Sequence, residues 1–131
     1  MIAITREVSD SIALCELTFA ARESIDVPRA RAQHLAYETA LRAVGCEIVR
    51  APDAHQHPDA VFVEDTAVVL DEVAVMTRPG AESRRAETES VAAVLRPYRT
   101  LHGIAAPGTL DGGDVLVLGR RVFVEIGRAH V

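Results

Sequence analysis

Apolar and polar positions alternate with two different periods along this chain, and the change of period marks its elements. Ile2 to Thr5 reads as a short β-strand, and the polar stretch from Glu7 to Ser11 reads as a loop. Ala30, His34, Tyr37, Leu41 and Val44 then recur at the spacing of one helical stripe. Asp26 is positioned to cap that helix, Pro28 suits its first turn, and Gly45 suits its C-terminal stop. A strand from Cys46 to Val49 follows, then a loop from Ala51 to Pro58 in which two prolines remove backbone donors. Val61 to Val63, Ala67 to Leu70 and Val73 to Met76 are apolar and rich in β-branched residues, which predicts three buried strands. Asp71-Glu72 forms the tight turn of a hairpin between the last two.

A second helix is expected from about Glu82 to Leu95, with Val91, Val94 and Leu95 facing inward and Pro97 beyond its end. Next come a strand from Thr100 to Ile104, a glycine corner at Asp111-Gly112-Gly113-Asp114, and the strand pair Val115 to Leu118 and Arg121 to Val124. Helix-then-strands recurs in both halves as a pattern of elements rather than of residues. The fold class is therefore α/β, and two such repeats leave sheet edges that further chain would have to cover.

The last seven residues break this pattern. Glu125-Ile126-Gly127-Arg128-Ala129-His130-Val131 puts an acid after an apolar strand and then loses all periodicity; the string also resembles the conceptual translation of a sequencing adapter. We read residues 1–124 as the domain and residues 125–131 as a non-native tail, so His130 is not a catalytic candidate.

Composition narrows the function. The chain has 131 residues, of which 49% are hydrophobic and 25% charged, enough for one domain with a core and too apolar for a disordered tail. Net charge is −5, from 14 basic and 19 acidic residues, and no basic run exceeds a pair, so nucleic acid is not an expected partner. Aromatic residues make up only 4%, which disfavours a base-stacking surface. No apolar run approaches the roughly 20 residues that span a bilayer, and no secretory signal opens the chain, so we expect a cytoplasmic protein with no membrane partner. Cys15 and Cys46 have neither metal-site spacing nor a base partner, and His55 with His57 lacks a third ligand, so no metal or other cofactor is expected.

Chemistry concentrates in Asp59-Ala60-Val61-Phe62-Val63-Glu64-Asp65-Thr66-Ala67. A carboxylate buried without a partner costs several kcal/mol, so acids set among apolar residues require a cation. Guanidinium matches them best, because its planar fork of N–H donors makes parallel charged hydrogen bonds. Two sources stay open on spacing alone: Arg78, Arg84 or Arg85 of the same chain, or a ligand. A continuous strand would place Asp59 and Asp65 on one face with Val61 and Val63. Asp111-Gly112-Gly113-Asp114 reads as a turn whose glycines let the backbone turn tightly and approach a ligand.

Three motifs in order carry a family likeness: Phe62-Val63-Glu64-Asp65-Thr66-Ala67-Val68-Val69, Thr77-Arg78-Pro79-Gly80-Ala81-Glu82-Ser83-Arg84-Arg85, and Thr109-Leu110-Asp111-Gly112-Gly113-Asp114-Val115-Leu116. Together they resemble the dimethylarginine dimethylaminohydrolases (dimethylargininases) among the guanidino-group-modifying enzymes, from about Ile4 to Val124. The resemblance implies a pentein-like α/β propeller of five ββαβ-type units, of which about half is here. It implies that Asp65 binds the substrate guanidinium, that Glu64 and Asp59 line the same pocket, and that Arg84 contacts the amino-acid portion. It further implies that Asp111 supports the guanidine site and the family histidine, and that Leu17 corresponds to a lid-loop leucine. The implied reaction is hydrolysis of a methylated arginine to citrulline and an amine through a cysteine-bound thiouronium, with a histidine moving protons. Both of those residues lie downstream of the matched region, where the family continues with Gly, Ser and Arg-Thr-Asn and this chain has Glu125-Ile126-Gly127. The chain alone is therefore expected to be inactive. Arginine deiminase, agmatine deiminase and a non-catalytic arginine-binding module share the carboxylate logic and remain the alternatives; the oligomeric state is not legible.

Overall fold

A computed structural model describes residues 1–17 and 21–126. The chain divides into two compact units, Met1–Val63 and Glu64–Val131.

The first unit is a β-α-β arrangement. Strand β1 (Ile2–Thr5) and strand β2 (Glu47–Arg50) pair in parallel, with Ile4 opposite Val49 and Thr5 opposite Arg50. Parallel neighbours need a crossover, and helix α1 (Val27–Ala43) supplies it. The Asp26 side chain caps α1 by accepting the Arg29 N–H at 3.0 Å, and Pro28 lies in the first turn, both as expected. At the other end Gly45 has φ +90°, the left-handed conformation that only glycine adopts without strain.

The buried stripe of α1 differs from the expected one. Tyr37 and Val44 are exposed, whereas Glu38 is fully buried. Its carboxylate accepts hydrogen bonds from Thr5 Oγ1 at 2.8 Å and from Arg50 Nε and Nη2 at 3.0 and 2.7 Å. His34 and Arg42 stand at 3.5 Å on the same helix. An aromatic ring leaves its polar tip free to seek water, so Tyr37 tolerates the surface; Glu38 is buried because the strand register sets Thr5 beside Arg50 as ready donors. The Arg50 hydrogen bond, working against burial and helped by Thr5, holds the Glu38 carboxyl down at about 2.

The second unit begins within a 3-10 turn (Val63–Thr66), followed by an antiparallel hairpin of β3 (Ala67–Val69) and β4 (Val73–Met76). The Leu70 N–H donates to the Val73 carbonyl at 2.8 Å and closes the expected Asp71-Glu72 turn. A 3-10 turn at Glu82–Arg84 precedes helix α2 (Glu87–Leu95), so the expected single helix begins five residues late. Strand β5 (Thr100–Gly103) then pairs in parallel with β4. This completes a β-β-α-β sequence of elements. Ala74, Val91 and Leu95 form its buried centre. A further hairpin, β6 (Val115–Leu118) with β7 (Arg121–Val124), turns at Gly119, whose φ is +59°.

The predicted strand Val61 to Val63 is absent. The Ala60 N–H donates to the His57 carbonyl and the Phe62 N–H to the Asp59 carbonyl, so the backbone satisfies itself in local turns before entering the 3-10 turn. Asp59 and Asp65 therefore do not share a strand face. Among the described residues, no helix is long and apolar enough to cross a membrane, and no cluster of three His, Cys, Asp or Glu residues is arranged to hold a metal ion.

Candidate functional site

Two sequence motifs separated by nearly fifty residues meet in the second unit. Asp65 lies in the 3-10 turn (Val63–Thr66) ahead of β3, half-buried, and Thr77 Oγ1 donates to its backbone carbonyl at 2.6 Å. The Thr77 N–H also donates to the carbonyl of Thr66, so the chain just after β4 fastens the turn at two points. On the other side comes the glycine corner (Gly112–Asp114), a 3-10 turn. The Gly113 N–H donates to Asp65 Oδ1 at 3.1 Å. A side chain at Gly112 would place its Cβ 2.0 Å from the Glu64 carbonyl oxygen, and one at Gly113 would reach 2.6 Å from Asp65 Oδ1. Gly112 is thus required by its close approach to backbone, and what the corner approaches is the chain's own acidic turn rather than the ligand expected from the sequence.

The other carboxylate oxygen of Asp65 faces a cation. Arg84 Nη1 donates to Asp65 Oδ2 at 2.7 Å. Arg84 is buried, and its Nε and Nη2 bond Glu87 Oε1 and Oε2 at 3.5 and 3.1 Å. Glu87 itself is 2% exposed, at the first turn of α2. Burial alone disfavours the charged guanidinium, but the hydrogen bonds it donates to Asp65 and Glu87 outweigh it and raise Arg84 above the ordinary arginine value. The triad therefore holds two carboxylates against one guanidinium and keeps a residual negative charge.

Asp111 is half-buried and uses Oδ2 to accept the Gly80 N–H at 3.3 Å, which draws the segment after β4 onto the glycine corner. The backbone bridge between Arg78 and Leu110 fixes the same approach. Glu64 exposes its side chain. Among the described residues neither Glu64 nor Asp111 has an ion-pair partner; Arg85 is spent on Glu82 and the Pro79 carbonyl, and Arg78 on the Gly108 carbonyl. Of the intrachain arginines considered above, only Arg84 reaches the acidic turn.

Asp59 and Leu17 belong to the first unit. Asp59 is buried, and its carboxylate accepts the Glu16 N–H at 3.0 and 3.3 Å, which anchors the residue before Leu17. Leu17 is 41% exposed. Cys15 and Cys46 are half-buried free thiols.

Sequence reasoning missed Glu87, Thr77 and Gly80. Glu87 stands three residues after Arg84, the spacing of an ordinary solvated helix pair, and no periodicity signals that both side chains turn inward. Thr77 and Gly80 act through groups that every sequence contains, a hydroxyl and a backbone N–H.

The arrangement has known relatives. No family model matches the chain. It is 46% identical over 126 residues to N(G),N(G)-dimethylarginine dimethylaminohydrolase of Streptomyces coelicolor, covering 95% of this chain and 49% of that protein. The Pseudomonas aeruginosa enzyme of the same name is 38% identical over 101 residues, 76% of this chain and 40% of that one. This chain belongs to the dimethylarginine dimethylaminohydrolase family. It spans about half the length of the curated relatives it matches. Among solved structures, the Pseudomonas aeruginosa dimethylarginine dimethylaminohydrolase, as a cysteine-to-serine mutant complexed with citrulline, superposes with a TM-score of 0.87 at 35% identity. The match covers 92% of this chain and 48% of that one. The N-terminal domain of ArgZ, an arginine dihydrolase, superposes with a TM-score of 0.72 at 19% identity, over 86% of this chain and 43% of that one, a likeness of fold alone.

Proposed function

We propose that the acidic turn of the second unit holds the guanidinium group of a methylated arginine, and that the reaction it serves is hydrolysis to citrulline and dimethylamine. The charge balance of the turn carries this reading: one buried guanidinium stands against the carboxylates of Asp65 and Glu87, while Asp111 and Glu64 bring two further negative charges with no ion-pair partner among the described residues. A planar cation is the ligand such a surplus favours. In this reading Asp65 and Glu64 receive the guanidinium, Asp111 supports the site, and Arg84 meets the amino-acid end. A cysteine thiolate attacks the guanidinium carbon, dimethylamine leaves with a proton supplied by a histidine, and water then displaces the thiolate from the thiouronium to give citrulline. We assign neither Cys15 nor Cys46 to that attack, so the chain alone is inactive. The order β-α-β followed by β-β-α-β and a further hairpin supports a place within a five-unit α/β propeller. We also propose that the protein is cytoplasmic.

The Gly113 amide reports the test, because it donates to Asp65. Titrating the chain with asymmetric dimethylarginine is expected to shift the Gly113 N–H resonance, with no citrulline formed. Asp65→Asn is expected to weaken that binding by about 1–3 kcal/mol, the worth of a hydrogen bond to a charged group. Turnover by the chain refutes the assignment of the nucleophile elsewhere, and an unmoved Gly113 resonance refutes the site.

A further inference from the structure

Glu87 has no place in the reaction described above, yet it is among the most completely buried side chains of the chain. A carboxylate withdrawn from water is costly unless its partners compensate. Glu87 is compensated by the same guanidinium that pairs with Asp65. Without Glu87, Arg84 and Asp65 would form a neutral pair, and the acidic turn would lose one of the negative charges that make a cation welcome. With Glu87, Arg84 is held by two bonds on one side and shared on the other, so Asp65 stays fixed at 2.7 Å and the triad keeps one net negative charge.

We propose that Glu87 is a specificity-determining positioning residue. Acting through Arg84, it sets the charge of the acidic turn so that a guanidinium is retained and the uncharged ureido group of the product is not. The inference rests on the guanidinium reading of the site. It distinguishes two ligand heads of nearly equal shape and different charge, arginine and citrulline, which a role in packing alone cannot do.

Affinities of the chain for arginine and for citrulline, measured by resonance shifts in wild type, Glu87→Gln and Glu87→Asp, test it. Glu87→Gln is expected to weaken arginine about tenfold more than citrulline, the weight of one unit charge about 12 Å away at an effective dielectric constant near 20. Glu87→Asp keeps the charge on a shorter arm; it is expected to preserve the arginine-to-citrulline ratio even where both affinities fall. Equal weakening of both ligands by Glu87→Gln leaves the guanidinium site standing and overturns the role of Glu87. Loss of the ratio in Glu87→Asp overturns it as well, and decides the matter if the glutamine variant does not fold. Absence of arginine binding by the wild-type chain removes the site and this inference together.

Discussion

Gly112 meets the Glu64 carbonyl so closely that a methyl group has no room, and the obstacle is backbone rather than a flexible side-chain end. Gly112→Ala must therefore push the glycine corner away from the acidic turn. We expect a loss of about 1–3 kcal/mol, in the range of overpacking, seen as a lower denaturation midpoint together with a displaced Gly113 amide resonance. Gly103→Ala is the control, since a Cβ there meets nothing within 4 Å. A stable Gly112→Ala variant with an unmoved Gly113 signal contradicts the close approach. The glycine pair was legible in the sequence as a tight corner, but its neighbour was not, because the contact joins residues 48 positions apart.

At the scale of elements, helix α1 shows what a stripe can and cannot reveal. Its cap, its first turn and its glycine stop follow from local rules, because each depends on residues within one turn. The buried acid does not, since Glu38 owes its burial to Thr5 and Arg50 on two other elements. That network carries a pH dependence. The folded carboxyl lies near 2 and its ordinary value is 4.5, so its contribution to stability is complete above about 4.5 and disappears as pH falls through about 2. Melting temperature should decline over that window, and Glu38→Gln should flatten the decline while lowering stability at neutral pH. An unchanged acid profile in the variant excludes Glu38 as its source. The strand expected at Val61 to Val63 failed for the converse reason: three apolar residues satisfy a pattern, but local turn hydrogen bonds took their backbone first.

For the whole molecule, the β6–β7 hairpin is the element least provided for. Leu116, Leu118, Val122, Phe123 and Val124 are each half exposed or more, and the described residues pair these two strands only with each other. Apolar side chains gathered on a two-stranded ribbon with open edges favour association. Sedimentation velocity should show the chain associating as concentration rises, and Leu118→Lys with Val122→Glu should suppress it; a monomer at every concentration argues against a sticky hairpin. Apart from the strand expected at Val61 to Val63, the order of elements along the chain, the β3–β4 hairpin, the cap of α1 and the three motifs were determined by the sequence alone, since hydrophobic period, turn chemistry and motif spacing are properties of neighbouring residues. Tertiary structure alone decided that Arg84 and not Arg78 or Arg85 meets Asp65, that Glu87 shares it, and that Glu38 is buried in place of Tyr37. A charge finds its partner in space, and the sequence does not state which distant segments the closing fold brings within hydrogen-bond range.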